Sequence, residues 1–330
     1  MTPSPLARTA DQLVSRQRGV LAADESIRTM SERLVAAGVE ASPENRRAYR
    51  ELLVTAPGLS AHVSGVIWCD ETFRQQTAGG TPLPEAAREL GILPGIKVDT
   101  GTAPLPDCDG ALVTEGLDGL ATRLSEYAGL GAAFAKWRAV LDVRTCTPYV
   151  ARANAIALAQ YAARCQEAGI VPIVEPEVLS EGSHALGDCA RTTRLVLDAV
   201  FDELAKANVA LDGVVLKPAF VTPGRGAGEL SPRSVAVVTA DVLRDCVPTG
   251  VAGIAFLSGG HPTDLACEYL AEINTLPGLP WRLTFSFGRA LVSEALRLWG
   301  GSSDHVARAQ HQLLASCALS AHASAGVRAA

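Results

Sequence analysis

Lysine is scarce in this chain of 330 residues. Of its 29 basic residues only Lys97, Lys136, Lys206 and Lys217 are lysines, and the rest are arginine. Other signals are missing altogether. The eight cysteines form no CxxC pair and the six histidines no HxH or HExxH grouping, so neither a zinc framework nor a protein-built metal site is expected. Widely spaced cysteines of this kind read as reduced thiols in a cytoplasmic protein. No apolar run reaches the roughly 18 residues that a membrane helix needs, and the first residues lack the apolar centre of a signal segment. No GxGxxG follows the first strand-like run, which argues against a dinucleotide fold. A net charge of −6 and a pI near 5.6 exclude nucleic acid and anionic membrane as the main partner. The 30 glycines and 19 prolines show no period, which excludes collagen.

What remains is a 48% hydrophobic chain able to bury a large core. Apolar, β-branched-rich runs of strand length occur at 18–24, 62–68, 94–98, 132–138, 170–176, 212–218, 251–258 and 281–287. Their centres lie roughly 30 to 44 residues apart, room for a helical crossover between parallel strands and too much for hairpins. Helix starts fall in the gaps: Ser42-Pro43, Thr147-Pro148 and Ser231-Pro232 each put a capping hydroxyl before a proline. Gly129 and Gly169 read as helix stops. Eight strands alternating with helices predict a single α/β domain over 1–330, a (β/α)8 TIM barrel with additional terminal helices, rather than an open doubly wound sheet. Residues from about 303 read as a C-terminal helix ending in a flexible small-residue tail at 321–330. The four tryptophans read as packing.

In such a barrel the carboxyl ends of the strands share one mouth. Three of the four lysines interrupt apolar runs: Lys97 in GILPGIKVD, Lys136 in GAAFAKWRAVL and Lys217 in DGVVLKPAF. An ammonium among Val, Leu and Phe is costly unless it is paired or can shed its proton, and a neutral amine can attack a carbonyl. Lys206, in FDELAKAN, reads as surface. Carboxylates collect at the same strand ends, notably Asp24, Asp99, Glu175 and Glu177, and in an extended segment Glu175 and Glu177 face one side. After the seventh strand Ser258, Gly259 and Gly260 offer a hydroxyl and backbone N–H groups to an anion, and Gly288 and Arg289 follow the eighth. Lys97, Ser26 and Thr29 could hold a second anion. Taken singly, SGG is a turn, EPE a solvated strand exit and Asp24-Glu25-Ser26 a helix start. Their convergence on one mouth turns them into a candidate site.

The same residues carry a family resemblance. LAADES at 21–26, ENRRAYRELL at 44–53, GIKVDTG at 95–101, FAKWR at 134–138 and GIVPIVEPE at 169–177 resemble the class I fructose-bisphosphate aldolases. So do LKP at 216–218, TPG at 222–224, FLSGG at 256–260 and FSFGRAL at 285–291, all in the family's order. The resemblance implies reversible cleavage of fructose 1,6-bisphosphate, or of another sugar phosphate, through a lysine Schiff base with no metal or cofactor. A non-catalytic scaffold on the same barrel is the remaining alternative. By motif, Lys217 would form the Schiff base and Glu175 would be the acid–base group. Asp24 would act on the hydroxyl at the cleaved bond, with Lys136 stabilising charge beside it. Ser258, Gly259, Gly260, Gly288 and Arg289 would hold the ketone-side phosphate. Ser26, Thr29, Lys97 and Arg138 would serve the aldehyde-side phosphate, with Glu177 a partner of the lysines. A cytoplasmic homotetramer is implied as well. The chain departs from the family pattern at Arg28 and Ala219, positions that bear on substrate preference, and no tyrosine follows Tyr269 to assist proton exchange.

Overall fold

Each of the eight apolar runs forms a strand, and each strand is returned to the same end of the sheet by the helical segment that follows. The computed structural model describes residues 3–228 and 230–327. Its strands are β1 (Gly19–Ala23), β2 (Val63–Trp68), β3 (Leu93–Lys97), β4 (Gly101–Pro104), β5 (Leu112–Glu115), β6 (Phe134–Leu141), β7 (Val171–Val178), β8 (Val215–Leu216), β9 (Gly253–Phe256) and β10 (Arg282–Phe287). All but β4 and β5 pair in parallel and close into a barrel in the order β1-β10-β9-β8-β7-β6-β3-β2. The architecture is the α/β TIM barrel expected from the pattern.

The helices are α1 (Pro5–Leu13), α2 (Ile27–Ala36), α3 (Pro43–Val54), α4 (Asp70–Phe73), α5 (Leu83–Glu89) and α6 (Leu120–Gly129). They continue as α7 (Pro148–Glu167), α8 (Leu186–Lys206), α9 (Pro232–Cys246), α10 (Thr263–Asn274), α11 (Arg289–Trp299) and α12 (Val306–Ala323). Ser42, Thr147 and Ser231 cap α3, α7 and α9 through their hydroxyls, each followed by the expected proline. All four tryptophans are buried.

Two apolar layers hold the barrel together. The larger lies between the strands and the helix ring. The smaller fills the barrel itself with Val20, Ala22, Ile67, Phe134, Val171, Ile173, Val215 and Ala255, and Ala10, Leu13 and Val14 close its amino-terminal end. That plug fits because neighbouring strands offer no side chain there: a Cβ on Gly65 would come within 2.8 Å of Leu13, and one on Gly253 within 2.7 Å of Val14. A Cβ on Gly95 would fall against the ring of the fully buried Phe134.

Four local expectations change. β6 runs three residues past the predicted 138 and pairs with β7 through Leu141, so Lys136 and Arg138 sit inside a ladder instead of at its end. β8 is only two residues long, although the Lys217 N–H still donates to the Val174 carbonyl at 2.8 Å. Gly129 is the last residue of α6, and the left-handed turn falls at Gly131 (φ +95°). α12 continues to Ala323 because small side chains let it pack closely, with Ala321 and Ala323 buried; the end of the predicted tail, 328–330, lies outside the described residues, as do 1 and 2. The β4–β5 hairpin was not expected, since its strands have only four residues, β4 is largely exposed and neither carries an apolar run of strand length.

Packing of the lower barrel layer gives one expected outcome. Gly95→Ala overfills the space taken by Phe134 and should cost about 2 kcal/mol, read as a lower urea midpoint. Adding Phe134→Leu should recover part of that loss.

Candidate active site

Side chains alternate along a strand, so a stripe that begins in the barrel core ends at the mouth two or four residues later. Val20 and Ala22 lead to Asp24, Phe134 to Lys136 and Arg138, Val171 and Ile173 to Glu175 and Glu177, and Val215 to Lys217. The strand register then sets neighbours: Lys97 pairs with Lys136, and Arg138 with Glu175. Every one of the fourteen residues singled out from the sequence lines one cavity of about 630 Å³ at this end.

At its floor lies a network of acids and amines. Lys136, Lys217 and Glu175 are only 3%, 3% and 4% exposed, so charge there must be paired to persist. Lys136 Nζ is 2.9 Å from Asp24 Oδ2, 3.2 Å from Glu175 Oε2 and 3.8 Å from Asp99 Oδ2. Glu175 Oε1 lies 3.0 Å from Lys217 Nζ, so this carboxylate bridges the two lysines. Its Oε2 is in ion-pair range of Lys136 but is buried without an aligned hydrogen-bond partner among the described residues. Ser286 Oγ, buried in the cavity wall, likewise has no hydrogen-bond partner among the described residues.

The electrostatics follow from competition between burial and pairing. Burial works against the Lys136 ammonium, but Asp24, Glu175 and Asp99 outweigh it and hold its pKa above the usual lysine value. Burial also opposes ionisation of Asp24, and the cations Lys136, Lys217 and Lys97 overcome it, leaving the carboxyl well below its usual range. Glu175 is shifted downward too: Lys136 and Lys217, helped by Arg138, prevail over burial and the Asp24 charge. At neutral pH the floor therefore holds a fixed ammonium and ionised carboxylates.

Around the rim the groups suit anions. Ser26 caps α2, its Oγ accepting from the Thr29 N–H at 3.2 Å, and both hydroxyls line the cavity. Lys97 reaches Asp99 Oδ1 at 2.7 Å and the Asp99 carbonyl at 2.8 Å. On the other side Gly259 and Gly260 both have positive φ, and Arg289 opens α11. Glu177 forms its ion pair with Arg138 rather than with a lysine, because the two emerge from adjacent paired strands. Asp99 and Glu25 belong to the site although sequence reasoning gave them no role. Glu25 is held by Arg33 and by the fully buried Arg50 at 2.6 Å. A signal existed: Arg46, Tyr49, Arg50 and Leu53 fall on one helical face, a place where arginine needs a carboxylate. A larger cavity of about 730 Å³ lies beyond Gly260 and Arg289, and its walls carry the exposed Arg297–Glu294 pair instead of a buried amine. No group of three His, Cys, Asp or Glu among the described residues is arranged to hold a metal ion.

Comparison with known proteins agrees with this geometry. The family model for "Fructose-bisphosphate aldolase class-I" matches residues 5–329. A "Probable fructose-bisphosphate aldolase class 1" of Xanthomonas campestris is 47% identical over 91% of this chain and 90% of its own length. "Fructose-bisphosphate aldolase 5, cytosolic" of Arabidopsis thaliana is 45% identical over 97% and 90%. Among solved structures, the fructose-bisphosphate aldolase of Plasmodium falciparum, in complex with TRAP and a small-molecule inhibitor, superposes with a TM-score of 0.97. It is 40% identical and the match covers 99% of this chain and 95% of that one.

The network has a pH signature. Asp24 and Glu175 titrate lower folded than unfolded, so the stability they contribute is present above about pH 4 and lost as pH falls through their folded values. Removing the cation in Lys136→Met should reverse the sign for Asp24, which loses its ion-pair partner while still buried, whereas Glu175 keeps Lys217 at 3.0 Å. The variant should lose about 3 kcal/mol at pH 7 and regain part of it by about pH 5. Urea midpoints of both proteins across that range test this.

Proposed function

The chain belongs to the class I fructose-bisphosphate aldolase family, and from that premise we propose that Lys217 is its Schiff-base nucleophile. The enzyme is a lyase of glycolysis, cleaving fructose 1,6-bisphosphate reversibly into dihydroxyacetone phosphate and glyceraldehyde 3-phosphate. The observation that carries the residue assignment is the buried bridge from Lys217 through Glu175 to Lys136, with its carboxylate at 3.0 Å from the Lys217 amine.

Glu175 takes a proton from Lys217, and the free amine attacks the ketone carbon to give a carbinolamine. Glu175 returns that proton to the departing hydroxyl, which leaves as water, and the iminium ion remains. The iminium is an electron sink. As a base removes the proton from the hydroxyl beside the scissile carbon–carbon bond, that bond's electron pair moves into the iminium. Glyceraldehyde 3-phosphate leaves and an enamine stays on Lys217. Asp24, ionised and 2.9 Å from Lys136, is the base we assign, with the Lys136 ammonium balancing the changing charge. Protonation of the enamine carbon and addition of water to the renewed iminium release dihydroxyacetone phosphate and free the lysine.

Two anion sites hold the substrate across this floor. Ser258, Gly259, Gly260, Gly288 and Arg289 take the ketone-side phosphate; Ser26, Thr29, Lys97 and Arg138 take the aldehyde-side one, with Glu177 orienting Arg138. Holding both ends over the amine is an orientation effect worth several kcal/mol. The reading extends to one barrel domain over 1–330, metal-independent chemistry, a cytoplasmic setting like that of the cytosolic plant relatives, and a homo-oligomer.

Two expected outcomes follow. Borohydride with dihydroxyacetone phosphate should trap one adduct per chain, mapped by peptide mass to Lys217. Lys217→Met should abolish it and lower turnover at least about a thousandfold. Trapping at another lysine would reject the assignment. Lys97→Ala should lower kcat/KM on fructose 1,6-bisphosphate about tenfold while changing that on fructose 1-phosphate by less than about twofold, since only the former carries the aldehyde-side phosphate.

A further inference from the structure

Arg225 lies outside the residues that line the catalytic cavity, yet it touches the loop that closes one end of it. Its Nη2 donates to the Gly259 carbonyl at 2.5 Å and its Nε donates to Ser180 Oγ at 3.2 Å. The Ser180 hydroxyl donates in turn to the same Gly259 carbonyl at 3.1 Å. The backbone around Arg225 is itself anchored: its N–H donates to the Ser180 carbonyl at 2.9 Å, that of Gly226 to Gly182 at 2.8 Å and that of Gly224 to His184 at 2.9 Å. The guanidinium is thus held by Ser180 and Gly259, on a loop pinned by three backbone hydrogen bonds.

A peptide unit is planar and trans, so its C=O and the next N–H point in opposite directions. Two donors on the Gly259 carbonyl therefore fix where the Gly260 N–H points, and polarising that carbonyl makes the N–H a stronger donor. Neither Gly259 nor Gly260 gives its N–H to an acceptor among the described residues, although Gly259 has φ +55° and Gly260 φ +77°. A Cβ on Gly260 would collide with the Arg225 guanidinium and sit 2.8 Å from Arg289 Nη2, so two guanidinium groups flank one glycine. Among the described residues Arg289 has no carboxylate in ion-pair range, and Arg225 has one, the exposed Glu181 at 3.7 Å. Two cations and two free N–H groups around a bare glycine are a concentration of positive potential that an anion relieves.

We infer that Arg225 is a positioning residue for the ketone-side phosphate, acting through the Gly259 carbonyl to hold the Gly259–Gly260 peptide in its anion-binding orientation. The inference rests on the proposed placement of that phosphate. It also ties the loops after β7 and β8 to the loop after β9 through one fork of hydrogen bonds.

The test is condensation with glyceraldehyde 3-phosphate, using either dihydroxyacetone phosphate or unphosphorylated dihydroxyacetone as donor. Arg225→Ala should raise KM for dihydroxyacetone phosphate about tenfold, equivalent to about 1.4 kcal/mol, with kcat falling less than about threefold. The loss in kcat/KM should be about tenfold smaller with the unphosphorylated donor. Ser180→Ala, which removes the second donor, should move KM the same way by about threefold. Equal losses on both donors would reduce Arg225 to general support of the fold and overturn the inference. Arg289→Ala, run in parallel, separates the two levels. If it weakens dihydroxyacetone phosphate and Arg225→Ala does not, the inference alone fails; if Arg289→Ala keeps full affinity, the phosphate is not held there and both readings fall.

Discussion

The active end of this barrel depends on one buried ammonium. Lys136 stands among Asp24, Glu175 and Asp99, all within 3.8 Å, in a place almost closed to water. Each carboxylate would be costly to bury alone, and the lysine would be equally costly without them. Together they keep Glu175 and Asp24 ionised at neutral pH. The second lysine, Lys217, is drawn into the network through Glu175 and so is fixed without a counter-ion of its own. An amine, two ionised carboxylates and a paired ammonium thus stand side by side in the folded chain.

The barrel's layering makes this economical. The lower interior is dry and full, with Phe134 over Gly95 and the α1 plug seated against Gly65 and Gly253. One step of the strand alternation above it, the inward side chains change from Ile173 to Glu175, from Phe134 to Lys136 and from Val215 to Lys217. The rigid layer beneath therefore positions the charged layer above. At the rim the strands give way to helix starts and glycine loops, whose free N–H groups favour phosphate. Apolar floor, ionic middle and a rim of hydroxyls, glycines and arginine are successive registers of the same strands.

Neighbouring loops carry out the finer adjustment. Glu177 secures Arg138 across adjacent strands, Glu25 is secured by Arg33 and Arg50, and Arg225 with Ser180 secures the Gly259 carbonyl. In each case a group at the cavity is held by a charged or polar partner from another element, which fixes its geometry.

The eight barrel strands were legible because strands covered on both faces must be apolar almost throughout, and a lysine inside such a run stands out at once. Helix starts at Ser42, Thr147 and Ser231 were legible because a cap is chemistry between near neighbours in sequence. All fourteen candidate residues meet in one cavity for the same reason: in a parallel barrel every strand must deliver its carboxyl end to the same face. The partners of those residues were not legible. That Glu177 takes Arg138, that Asp99 completes the Lys136 cluster and that Arg225 reaches Gly259 depend on strand register and on loops 34 or more residues apart. The β4–β5 hairpin escaped notice because two strands of four residues, one of them largely exposed, leave too short an apolar signature. Residue type and alternation were enough to determine which groups line the mouth. Only closure of the barrel decided which of them touch, because a charged side chain chooses its partner by distance in space, and distance along the chain says nothing of that.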